Sequence, residues 1–121
     1  MNNSIAEKCD FDIRFLQDTL YVLSGKWKLP IIAAIFNGAN RYSDILRAIP
    51  DITSRMLSKE LKELEMNKLV ERSVKDSIPV YITYQLTPYS SSLEGLVIDM
   101  ITWGKQHRKI ISLNLKQPKQ E

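Results

Sequence analysis

The chain has 121 residues, 44% of them hydrophobic and 26% charged, a balance that supports one globular domain and argues against a disordered polymer. Its net charge of +3, from 17 basic and 14 acidic residues, is too small to argue nucleic-acid binding by itself, so an electrostatic case must rest on where the charges sit. A single cysteine, Cys9, and a single histidine, His107, exclude an internal disulfide and a Cys/His metal cluster, and the four glycines form no nucleotide-binding loop. The first element in chain order is an arm, residues 1–9, polar and without the apolar core of a signal peptide. No apolar run approaches the ~20 residues that cross a bilayer, so the expected location is the cytoplasm, with no membrane partner. A helix follows over about 11–24, where Ile13, Leu16, Leu20 and Leu23 recur at steps of three and four and Ser24-Gly25 supplies the stop.

The next helix, about 26–37, is apolar nearly all round from Trp27 to Phe36 and is therefore expected to be the buried one, with Pro30 in or near its first turn. A short third helix, about 43–49, starts at Ser43, buries Ile45, Leu46 and Ile49, and stops at Pro50. Pro50-Asp51-Ile52 then leads to Thr53, an N-cap for a fourth helix over about 54–67. Two helices joined this tightly are a helix-turn-helix signature. The period then changes from 3.6 to 2: Leu69 to Val74 and Val80 to Leu86 read as strands, with 75–79 as the hairpin tip. Thr87-Pro88 opens a last helix, about 88–112, with an apolar face of Leu93, Leu96, Val97, Met100, Trp103 and Gly104, and 114–121 reads as a flexible tail. The fold class is mainly α with a small antiparallel β-hairpin (α+β), a winged helix-turn-helix domain over 10–113.

The fourth helix carries the chemistry. Taking Arg55 as zero and about 100° per residue, Lys59 falls near 40° and Lys62 near −20°, while Leu57, Leu61 and Leu64 fall between about 180° and 240°. Three leucines thus hold the helix to the core while three cations project the other way, flanked by Ser54 and Ser58. In a major groove Arg55 would fork onto a guanine edge and the lysines would contact phosphate. The plainer alternative is a solvated face: Glu60, Glu63 and Glu65 share the helix, and Lys59 and Glu63 have the spacing of a local ion pair. Arg72 and Lys75, near the hairpin tip, are where a wing would meet backbone or minor groove; as strand-edge charges they would instead suppress aggregation. Tyr81 and Tyr84 read as packing residues. Ile98 and Ile101 lie off the last helix's apolar stripe, which suggests a partner chain covering them, or else the first helix of the same subunit.

Several separated motifs resemble the HxlR-type regulators, which are MarR-like winged-helix proteins. Leu23-Ser24-Gly25-Lys26-Trp27 resembles their "GGKW" signature. The stretch from Thr53 to Glu65, with Leu69-Val70-Glu71-Arg72, resembles their recognition helix and first wing strand. Tyr84-Gln85-Leu86-Thr87-Pro88 is similar to "YxLTP", and Trp103-Gly104 to the "WG" of the last helix. The likeness spans about residues 9–104. It implies a homodimer formed by the first and last helices, with Leu16, Leu20, Leu93, Leu96, Val97, Met100 and Trp103 as interface candidates. It also implies double-stranded DNA as the partner, at a pseudo-palindromic operator, with Ser54, Arg55, Ser58, Lys59 and Lys62 as contacts and the wing over 72–79. Two departures concern turns. Lys68 stands where the family often has glycine, with Asn67 beside it available for the left-handed position, and Ser90 stands at a second glycine position.

Cys9 sits where many such proteins carry a cysteine and is a candidate redox sensor. Lys8 would favour its thiolate and Asp10 oppose it, and the alternative is a small packing residue. No residue argues for a small-molecule effector, which is left open. No cofactor, metal or catalytic constellation is expected. The reading is a sequence-specific regulator of transcription and not an enzyme; the alternative is a winged-helix protein-interaction module without DNA binding.

Overall fold

A computed structural model describes residues 4–116, apart from the side chains of Ala6 and Lys116. The elements run α1 (Ile5–Lys8), α2 (Ile13–Leu23), α3 (Lys28–Phe36), α4 (Tyr42–Ala48), α5 (Ser54–Met66), β1 (Val70–Lys75), β2 (Tyr81–Leu86), a 3-10 turn (Tyr89–Leu93) and α6 (Glu94–Lys116). This is the winged helix-turn-helix order: helices first, a two-stranded antiparallel hairpin, then a long closing helix.

The core forms where the apolar periodicities converge. Ile31, Ile32 and Ile35 of α3, Ile45 of α4, and Leu57, Leu61 and Leu64 of α5 are buried together with Leu69, Val70 and Tyr84 of the hairpin region and Val97 of α6. Each fully buried aliphatic side chain stabilises by roughly 1.5–3 kcal/mol relative to exposure. Thr53 caps α5 as expected, its hydroxyl accepting from the Met56 amide at 3.2 Å. The turn before it needs Asp51 at φ 69, a region that Asp tolerates better than most residues. The hairpin pairs Val70 with Leu86 and Lys75 with Tyr81 at its two ends. It is tied to the helices by the Tyr84 amide, which donates to the Asn40 carbonyl at 2.7 Å.

Several expectations need correction. The last helix does not run from 88 to 112. Pro88 leads instead into the 3-10 turn, where Ser90 is fully buried and its hydroxyl donates to the Thr87 carbonyl at 2.9 Å, and α6 continues to Lys116. Of the tail expected over 114–121, residues 114–116 are therefore helical, and 117–121 lie outside the described residues. Within the expected arm, Ile5–Lys8 forms one helical turn, while residues 1–3 lie outside the description. Helix α4 begins at Tyr42 with Arg41 as its N-cap, so Ser43 lies inside it. After α5 it is Lys68 and not Asn67 that takes the left-handed conformation, at φ 61. Asn67 stays at φ −85 and its side-chain amide donates to the Glu63 carbonyl at 3.0 Å.

The apolar face of α2 is mostly uncovered: Leu23 is buried, whereas Ile13, Leu16 and Leu20 are more than half exposed. Helix α6 divides its apolar residues. Val97 belongs to the core of its own subunit, which removes it from the free interface set, and Leu93 packs half-buried against that core. Ile98 and Ile101 line an open groove with Ala33 and Pro30 of α3, and both remain about half exposed. Leu96, Met100 and Trp103 remain open to solvent. No single helix among the described residues is long and apolar enough to cross a membrane; α2 and α3 would suffice only jointly, and they meet at 75°.

Candidate nucleic-acid interface

The helix-turn-helix presents α5 because its two faces have separate tasks. Leu57, Leu61 and Leu64 are buried to within 1% of their surface, while Ser54, Arg55, Ser58, Lys59 and Lys62 are all exposed. The angular separation read from the sequence therefore becomes a spatial one, and the cationic ridge faces solvent.

The acids on the same helix are handled by a residue that sequence reasoning passed over. Lys28, in the first turn of α3, sends its ammonium to Glu60 Oε2 at 3.0 Å and also to Glu63 Oε2. Lys28 and Glu60 are buried and Glu63 is half-buried. Burial works against the Lys28 charge, but hydrogen bonds to Glu63 and Glu60 and their negative charges outweigh it, and the Lys28 pKa is raised. The same hydrogen bond and charge hold the Glu63 carboxyl below its ordinary value, with burial opposing and Lys59 adding a smaller effect. The Lys59–Glu63 pair suggested by spacing is thus replaced by a tertiary one. Among the described residues Arg55, Lys59 and Lys62 take part in no ion pair. The signal for Lys28 was present: it is one cation in an otherwise apolar helix, and Glu60 lies toward the leucine side of α5, where an acid needs a partner.

Two further contacts set the ridge in place. The Tyr42 hydroxyl donates to the Ser54 carbonyl at 2.6 Å, so it accepts from the Ser58 hydroxyl, 2.9 Å away. Ser58 is therefore engaged in holding α4 against α5 as well as lying on the exposed face. Arg41, also missed, lies 4.0 Å over the Tyr81 ring and links the start of α4 to the hairpin. No periodicity connects residues 40 apart in the chain, so only the fold reveals this contact.

The two wing candidates part company. Arg72 lines the groove between α5 and the hairpin with Ser58, Leu61, Lys62, Glu65 and Tyr84. Lys75 lies three residues further along β1, where strand alternation puts it on the other face near the tip. Tyr84 is buried and Tyr81 half-buried beneath Arg41, as packing residues are. Cys9 is exposed, with its thiol 3.5 Å from the Ile5 carbonyl. Among the described residues no group of three His, Cys, Asp or Glu side chains is placed to hold a metal ion.

This arrangement coincides with a known one. Residues 22–112 match the family model described as HxlR-like helix-turn-helix. The chain belongs to that family. The HTH-type transcriptional regulator YtcD of Bacillus subtilis (strain 168) is 37% identical over 101 residues, which cover 84% of this chain and 79% of YtcD. Among solved structures, the redox regulator HypR in its reduced form superposes with a TM-score of 0.73 at 35% identity, over 80% of this chain and 96% of that one. A transcriptional regulator of the MarR family from Enterococcus faecalis V583 superposes with a TM-score of 0.69 at 28% identity, over 92% and 98% of the two chains. This HxlR-like chain is accordingly a helix-turn-helix regulator of transcription and not an enzyme.

Proposed function

We propose that this HxlR-like protein binds double-stranded DNA sequence-specifically as a homodimer in the cytoplasm. Helix α5 of each subunit lies in the major groove of one half of a pseudo-palindromic operator. The observation that carries the reading is the outward ridge of Arg55, Lys59 and Lys62 on a leucine-anchored helix whose acids Glu60 and Glu63 are drawn toward Lys28. Arg55, near the helix N-terminus, reads a base edge; Lys59, Lys62 and the serines Ser54 and Ser58 set register on the backbone. Arg72, on the groove shared with α5, and Lys75, near the hairpin tip, extend the contact to flanking phosphates or the minor groove. Residues 10–113 form the working domain.

The dimer reading rests on the uncovered apolar faces of α2 and α6, with Leu16, Leu20, Leu96, Met100 and Trp103 as its centre. The deciding experiment is fluorescence anisotropy with the promoter duplexes flanking the gene. Arg55→Ala lowers affinity for the preferred duplex by about 1–3 kcal/mol and relaxes base preference at one position per half-site. Wild-type-like affinity and base preference in that variant would remove Arg55 from the reading, and no duplex binding by the wild type would leave the interaction-module alternative. HypR is a redox regulator, and Cys9 of this chain is exposed, which makes its thiol worth testing. Diamide treatment that oxidises the thiol fully without changing DNA affinity refutes a sensor role.

A further inference from the structure

Helix α5 taken alone is electrically neutral. Arg55, Lys59 and Lys62 are matched by Glu60, Glu63 and Glu65. Glu63 is four residues beyond Lys59 and about 40° round the helix from it, close enough to cancel it. In the fold the Glu63 carboxylate turns to Lys28, and Glu60 meets the same ammonium from the buried side. Only Glu65, half-buried in the groove with Lys62 and Arg72, keeps its charge on the side of the ridge.

We infer that Lys28 is a positioning residue for DNA binding, an internal counter-ion that holds Glu60 and Glu63 away from the ridge so that Lys59 meets the duplex without an ion-pair partner on its own helix. A lysine is a costly way merely to anchor α3 to α5, because a buried ion pair is commonly matched or exceeded in stability by apolar residues of similar volume. Its location 32 residues before Glu60 also ties the α3 end of the core to the charge state of α5. The inference rests on the DNA-binding reading and deepens it.

Two variants of the whole chain test it, differing only in one acid. Lys28→Met/Glu60→Met replaces the buried pair by apolar side chains and leaves Glu63 free to turn to Lys59; the second variant adds Glu63→Gln. Binding of a fluorescein-labelled mixed-sequence DNA duplex is followed by anisotropy across a salt series, with circular dichroism and thermal melting as checks on folding. The expected result is a several-fold loss of affinity at low salt for the double variant. Its salt slope is shallower by about 0.9 per subunit, one phosphate contact. The triple variant returns to the wild-type slope. Equal slopes in the two variants, whether both match wild type or both are shallow, overturn the charge-sorting role, because a freed Glu63 that pairs with Lys59 must cost a contact that Glu63→Gln restores. Wild-type protein that fails to bind any duplex overturns the DNA-binding reading itself, a result distinguishable from the first.

Discussion

Lys59→Ala gives the most quantitative handle on the ridge. Lys59 is exposed and takes part in no ion pair among the described residues, so its removal disturbs no packing and frees no buried acid. In the proposed dimer the substitution is expected to delete two phosphate contacts. Each contact contributes a slope of about 0.9 in log affinity against log salt, so the slope should fall by about 1.8. Between about 50 and 200 mM salt, a fourfold change, two contacts correspond to about one log unit. The affinity advantage of wild type over variant therefore shrinks about tenfold across that range. The assay is anisotropy on a fixed duplex at several salt concentrations, with Lys105→Ala as the control. That substitution removes the same charge from an exposed position on a different helix, α6. The reasoning is refuted if Lys59→Ala retains the wild-type slope, or if Lys105→Ala flattens it equally, since net charge and not the ridge would then be responsible.

Lys68→Gly should stabilise the fold by roughly 0.5–1 kcal/mol, because a non-glycine residue at φ 61 pays about 1–2 kcal/mol that glycine avoids, less glycine's greater loss of freedom on folding. Urea melts would detect it, and an unchanged or lower midpoint refutes the strain. The pH dependence of stability should have two limbs traceable to one cluster. Glu63, held below its ordinary value by Lys28, contributes stability that is present above its unfolded value of about 4.3 and lost as pH falls through the lower folded value. Lys28, raised by Glu63 and Glu60 despite burial, contributes stability present below its unfolded value of about 10.4 and lost as pH rises through the higher folded value. Glu63→Gln should weaken the acid limb in thermal melts, and an acid limb as steep as that of wild type counts against the pair. Leu20→Glu with Met100→Glu, both at solvent-exposed positions, should yield a folded monomer by sedimentation velocity. A dimer that persists through both charges argues for a different interface.

What the amino-acid order determined alone is whatever depends on near neighbours. The stripes of Leu57, Leu61 and Leu64 against Arg55, Lys59 and Lys62 follow from helical geometry, and the change of period after Asn67 marks the hairpin, because both are properties of a few consecutive residues. Thr53 as a cap is local in the same sense. Tertiary structure decided the rest. Spacing offered Lys59 as the partner of Glu63, but Lys28, 35 residues away, takes it. Arg41 over Tyr81, Tyr42 on Ser58, and the division of α6 between its own core and solvent likewise join residues that are not near neighbours in the chain. A charge chooses among all partners that the fold brings within reach, and periodicity along one helix contains no information about what packs against it.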